Sequence, residues 1–153
     1  MGGMRPFTVI AIGVLVFGLA CNGDDDEGPA EGGTVAVTLQ EFAVLPSPST
    51  ISAGDVTFEA TNDGPADPHE LVIIRTDLDP TALPTGDDGG VEETGDGIEV
   101  INEIEEFPVG ETESLTVELD AGAYVLICNV VEIEDGETEA HYQLGMRTGF
   151  TVT

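Results

Sequence analysis

Lysine is absent from the 153 residues and arginine occurs three times against 31 acidic residues, for a formal charge of −28 at pH 7. A chain so poor in cations is repelled by nucleic acid and by anionic membrane surfaces, which excludes both as direct partners. A basic protein partner would be steered by this field at low salt. At molar salt, where the Debye length is about 3 Å, it would not, and acid excess without lysine is then a solubility adaptation. Cysteine is nearly as scarce, with Cys21 and Cys128 alone, too few for a disulfide framework. Long apolar runs are missing too: the longest, the 14 residues Phe7 to Ala20, falls short of the roughly 20 that a membrane span requires. Behind the single Arg5 it has the form of a signal-peptide hydrophobic region, so residues 1–20 are expected to be an export signal.

Cys21 follows Ala20 directly and opens an Asn-Gly-Asp-Asp-Asp-Glu-Gly-Pro run without hydrophobic pattern. This arrangement resembles the lipid-attachment cysteine and flexible tether of a bacterial lipoprotein, although Gly18 and Leu19 stand where such signals usually have Leu and a small residue. The expectation is an exported protein with a tether over residues 21–33, held on the outer face of the cell membrane by a lipid on Cys21. Ordinary signal cleavage and an uncleaved anchor are the alternatives. Residues 34–153 then form one domain, large enough to bury a core without disulfides.

Within that domain the hydrophobic period is two. Val35, Val37 and Leu39 alternate with small or polar residues, as do Val56, Phe58 and Ala60, and Leu115, Val117 and Leu119, the pattern of half-buried strands. Leu71 to Ile74 and Tyr124 to Ile127 are apolar throughout and read as central strands, while a last strand runs from about Thr148 to Val152. Turn signals at Pro46 to Pro48, Gly54-Asp55, Asp63-Gly64, Val109-Gly110 and Ala121-Gly122 separate them. The pattern predicts an all-β, antiparallel Greek-key sandwich of seven to eight strands. One zone, Asp77 to Gly97, is irregular, with a possible helical turn at Asp79 to Leu83 and an acidic loop continuing to Glu106.

Beyond the leader and Cys21, the side chains able to bind a soft metal are His69, Cys128, His141 and Met146. Two imidazoles, a thiolate and a thioether are the ligand inventory of a mononuclear blue-copper site. Taken singly, each has a plainer explanation: Cys128 and Met146 as core residues, His69 and His141 as surface residues. Taken together, four coincidences would have to reproduce a complete donor set. A bond from Cys128 to Cys21 would tie a strand to a tether and is blocked by lipidation, whereas a metal protects a lone thiol in an oxidising compartment.

The segments "VTLQEFAVLPSPSTISAGDVTFEATNDGPADPHELVI", "GAYVLICN" and "HYQLGMRTGFTVT" resemble the cupredoxin family, in particular small exported proteins of plastocyanin, halocyanin and sulfocyanin type, over Thr34 to Thr153. That resemblance implies a cupredoxin-like sandwich, one copper ion cycling between Cu(I) and Cu(II), the ligands His69, Cys128, His141 and Met146, and an electron port at the edge of His141 within an apolar rim of Leu144 and Gly145. Asn62, Glu70 and Asn129 flank the ligands and are candidates for the surrounding hydrogen bonds, with Asn62 and amides near His69 expected on the cysteine sulfur. The family usually has two to five residues between the cysteine and the second histidine; here there are 12, Asn129 to Ala140. An acidic hairpin around Asp135-Gly136 would return His141 to the metal at an added closure cost of about 1 kcal/mol. It would either loosen the copper plane or cover the edge of His141.

The leading expectation is therefore a monomeric one-electron carrier serving extracytoplasmic redox proteins, with no catalysis of its own. A copper-handling module with the same ligands is the second reading. A cysteine hydrolase built on Cys128 and His141 is the third, weakened because no oxyanion hole or orienting partner is evident.

Overall fold

A computed structural model describes residues 31–134 and 136–153. The expected signal peptide, Cys21 and the tether as far as residue 30 lie outside the described residues. Among the described residues no helix is long and apolar enough to cross a membrane.

Among the described residues, eleven strands and one helical turn follow in order: β1 (Gly33–Gln40), β2 (Ala43–Ser47), β3 (Thr50–Ile51), β4 (Gly54–Gly64), β5 (His69–Arg75), β6 (Glu99–Phe107), β7 (Thr112–Leu119), β8 (Gly122–Ile127), β9 (Val131–Glu134), β10 (Glu137–Ala140), α1 (His141–Leu144) and β11 (Arg147–Val152). Two sheets form the sandwich, one in the order β2-β1-β4-β7 and the other β3-β11-β8-β5-β6, with β9 and β10 as a separate hairpin. The inward residues of β1 and β4, Val35, Val37, Leu39, Val56, Phe58 and Ala60, pack against Leu71, Ile73, Leu126 and Phe150 of the facing sheet. Each of these side chains other than Ala60 is worth about 1.5–3 kcal/mol when fully buried.

The fully apolar strands have a second face to bury. Val72, Ile74, Val125 and Ile127 point away from the sandwich core and are covered by Leu83 and Val91 of the irregular zone and by Tyr142 of α1. The Tyr142 hydroxyl donates to the Pro80 carbonyl at 2.9 Å and accepts the Leu83 N–H at 3.0 Å, joining α1 to the irregular zone within this cover. The irregular zone is thus an outer layer of the molecule.

Three expectations require correction. The sandwich is mixed, since β1 pairs with β4 and β3 with β11 in parallel. After the β1–β2 hairpin the chain crosses to the other sheet at β3 and returns on the free side of β1, in the same direction. The acidic segment before Glu106 is not all loop, because Glu99–Phe107 is edge strand β6, whose register shifts against β5 obscure the alternation of Val100, Ile104 and Phe107. Its acids face solvent, as suits an edge strand. At Asp79 to Leu83, where a single helical turn was expected, there is one hydrogen-bonded turn, Ala82 N–H to the Asp79 carbonyl at 2.9 Å. With short β3 and the hairpin, these additions bring the strand number above the expected seven to eight.

Candidate metal centre

At one end of the sandwich, three segments deliver the four candidate ligands. Asn62 staples the loop before β5: its amide donates to the carbonyls of Asp67 (3.0 Å) and Phe107 (3.1 Å), and its Oδ1 accepts the Gly64 N–H (2.9 Å). His69 begins β5 directly behind that staple. Cys128 follows β8, and its N–H donates to the Met146 carbonyl at 3.1 Å. The inserted hairpin pairs β9 with β10 antiparallel and closes where the His141 N–H donates to the Val130 carbonyl at 2.9 Å. The His141 carbonyl then accepts the N–H groups of Gly145 (3.2 Å) and Met146 (3.0 Å), so a tight turn joins the second histidine to the methionine. Gly145 sits at φ 132°, a conformation that L side chains rarely adopt.

The result is a buried cluster. His69, Cys128, His141 and Met146 are each 0% exposed. Nδ1 of His69 lies 3.3 Å from Nδ1 of His141, and Cys128 Sγ lies 3.9 and 3.5 Å from those two nitrogens. A first-row metal with nitrogen at about 2.0 Å and sulfur at about 2.3 Å in a trigonal plane separates nitrogen from nitrogen by about 3.5 Å and nitrogen from sulfur by about 3.7 Å. The observed triangle fits. The Met146 side chain shares the core cluster of Cys128.

Burial sets the protonation of the metal-free cluster. It pushes the Cys128 thiol up to about 12, opposed by the backbone N–H groups of Glu70 and Val130. It lowers His69, reinforced by neighbouring His141 and opposed by Glu41 and Asp67. Glu70 is pushed up to about 7, again mainly by burial, with the acids Glu103, Glu93 and Glu106 acting in the same direction and the Asn129 N–H against it. The thiol must therefore release a proton to become a ligand.

Of the flanking candidates, Glu70 contributes most directly: its N–H donates to Cys128 Sγ at 3.5 Å and its Oε1 accepts the Asn129 N–H at 2.9 Å. Asn62 does not reach the sulfur, because its polar atoms bond the backbone of Gly64, Asp67 and Phe107. The Asn129 side chain pairs with the N–H and carbonyl of Val91 (2.6 and 3.0 Å) and with Glu93, anchoring the outer layer. His141 presents no solvent-exposed edge; of the expected rim, Leu144 is 47% exposed. Three neighbours lacked a sequence signal. The Phe42 ring meets His141 edge-on with centroids 5.4 Å apart, Glu41 lies 3.8 Å from His69 Nε2, and Glu132 lies 3.9 Å from His141 Nε2. Glu41 and Phe42 occupy a turn without periodicity, and Glu132 is one acid among several in the insertion.

No protein-family model matches the sequence, and no curated protein is similar to it. Solved structures do match. Dithionite-reduced auracyanin from Roseiflexus castenholzii aligns with a TM-score of 0.55 at 22% identity, over 78% of this chain and 96% of that one. Auracyanin B aligns at 0.53 and 22% identity, over 82% and 98%. Auracyanin A, described as a "blue" copper protein from Chloroflexus aurantiacus, aligns at 0.51 and 20% identity, over 80% and 100%. At these identities the likeness is one of architecture: the chain has the cupredoxin fold.

Proposed function

We propose that the protein is a type 1 copper electron-transfer protein. The observation that supports this most strongly is the closed triangle of His69 Nδ1, Cys128 Sγ and His141 Nδ1, tied by backbone hydrogen bonds to the segment bearing Met146. Thiolate and thioether favour copper, particularly Cu(I), and imidazole serves both oxidation states, so the donor set can hold the ion through a one-electron cycle. A structural zinc site would use four strong ligands and no methionine. Copper bound here supplies the redox couple. The chain supplies a dry site whose ligands are fixed before the electron arrives.

A hydrolytic role is disfavoured, because burial holds the thiol protonated far above neutral pH and a thiol, unlike a thiolate, is a poor nucleophile. Retention is favoured over copper delivery, since all four ligands are fully buried and come from three segments of the fold, with His141 and Met146 sharing one turn. Electrons would pass through the thin cover over His141, where Phe42 packs on the ring and Leu144 is exposed. Export, a lipid on Cys21 and a redox protein with a basic docking surface complete the proposal.

The test is optical. Copper-loaded protein should show intense thiolate-to-copper absorption, blue or green, that reductant bleaches and oxidant restores. A colourless Cu(II) adduct that yields its metal readily to a chelator would instead support copper handling.

A further inference from the structure

The following inference deepens the copper reading and rests on it. An imidazole that gives Nδ1 to a metal keeps its proton on Nε2, so each ligand histidine acquires an N–H donor on its far edge. In this fold neither far edge reaches water: Nε2 of His69 and of His141 are buried without a hydrogen-bond partner. Each faces a carboxylate, Glu41 Oε1 at 3.8 Å from His69 and Glu132 Oε2 at 3.9 Å from His141. Glu41 is held in place, because its Oε1 also accepts the N–H groups of Ala66 (3.0 Å) and Asp67 (2.6 Å), while its Oε2 is buried without a partner. Glu132 arrives on β9, inside the 12-residue spacer between Cys128 and His141, and Asp67 joins it and His141 in a group whose polar atoms lie within 4.8 Å of one another. That second group would hold a cation only if His141 lost its Nε2 proton; with the proton present, its carboxylates are acceptors.

We propose that Glu41 and Glu132 are the carboxylate partners of the two ligand imidazoles, and that the inserted hairpin is a redox-tuning element which brings Glu132 onto His141. Two negative charges near the ion, that of Glu41 nearly buried and that of Glu132 partly exposed, stabilise Cu(II) over Cu(I) and lower the reduction potential.

The experiment compares copper-loaded full-length wild type with Glu132→Gln, Glu41→Gln and, as a control, Glu137→Gln, which removes an exposed charge on the neighbouring strand β10. Redox titration should show Glu132→Gln and Glu41→Gln each shifting the Cu(I)/Cu(II) ratio at fixed potential about tenfold towards Cu(I), or about 59 mV upward for one electron, while Glu137→Gln shifts it less than twofold. In the diamagnetic Cu(I) form, the His141 Nε2–H should resist exchange with water in wild type and exchange at least tenfold faster in Glu132→Ala. Glu41→Gln also touches the loop before His69, so Glu132→Gln is the deciding variant. An intact thiolate-to-copper band with a Glu132→Gln shift no larger than the control overturns the tuning role alone. A wild-type protein lacking that band overturns the copper reading and this inference with it.

Discussion

The N–H of Cys128 donates to the carbonyl of Met146 at 3.1 Å, so the segments bearing the two candidate sulfur ligands are hydrogen-bonded neighbours continuing the β8–β11 pairing. The thioether is thereby placed by the same ladder that places the thiolate. Its register depends on the turn between His141 and Met146, which depends on one residue.

That residue is Gly145, and Gly145→Ala is expected to destabilise the metal-free protein by about 2 kcal/mol. The positive φ is unfavourable for any L side chain, and a Cβ would lie 3.0 Å from the Phe42 carbonyl oxygen. Urea unfolding checks the loss of stability. The absorption of the copper form should change as well, because Met146 moves with the turn.

Asn62→Ala separates structural support from sulfur tuning. Two donated bonds and one accepted bond disappear from a buried site, so stability should fall by about 2–4 kcal/mol. The energy of the thiolate-to-copper band should stay nearly unchanged in the folded fraction, because the sulfur takes its hydrogen bond from the Glu70 amide. A large band shift would mean that Asn62 reaches the sulfur after all.

Tyr142→Phe tests whether the irregular zone is a structural layer. Its hydroxyl bonds Pro80 and Leu83, and without it the buried Leu83 N–H loses its acceptor. The expected cost is about 1–3 kcal/mol, with hydrogen exchange at Leu83 accelerated more than exchange in β1 and β4.

Alkaline stability should depend on Tyr124. Burial raises its phenol above the ordinary value of 10, with Asp120 and Glu99 adding to the rise and Arg75 opposing it, while the hydroxyl donates to the Asp120 carbonyl at 2.8 Å. The folded state keeps a proton that the unfolded chain releases near pH 10. Tyr124's contribution is therefore complete below pH 10 and is lost as pH rises through the folded-state value. Tyr124→Phe should cost about 1 kcal/mol at pH 8 and weaken the decline of stability above pH 10, as followed by urea midpoints.

Much of this was legible in the sequence, for identifiable reasons. Val35, Val37 and Leu39 declare β1 because one face meets the core and the other meets water; Leu71 to Ile74 declare a central strand because both faces are covered. The ligand triangle was legible because so few soft donors occur in the chain. Strand β6 was hidden because an edge strand with solvent-facing acids resembles an acidic loop. A covered His141 was one of two outcomes expected of the long Cys128-to-His141 spacer, and the choice between them depends on how the inserted hairpin folds back; Glu132 was not legible, because no local pattern distinguishes it from the acids around it.

The most direct measurement is X-ray absorption at the copper edge of the copper-loaded, full-length protein, beside Cys128→Ser. Wild type should show a coordination sphere of two imidazole nitrogens and one short thiolate sulfur, with the sulfur scatterer gone in the variant. A wild-type sphere containing only nitrogen and oxygen, or one unaltered by Cys128→Ser, would contradict a copper centre built on His69, Cys128 and His141.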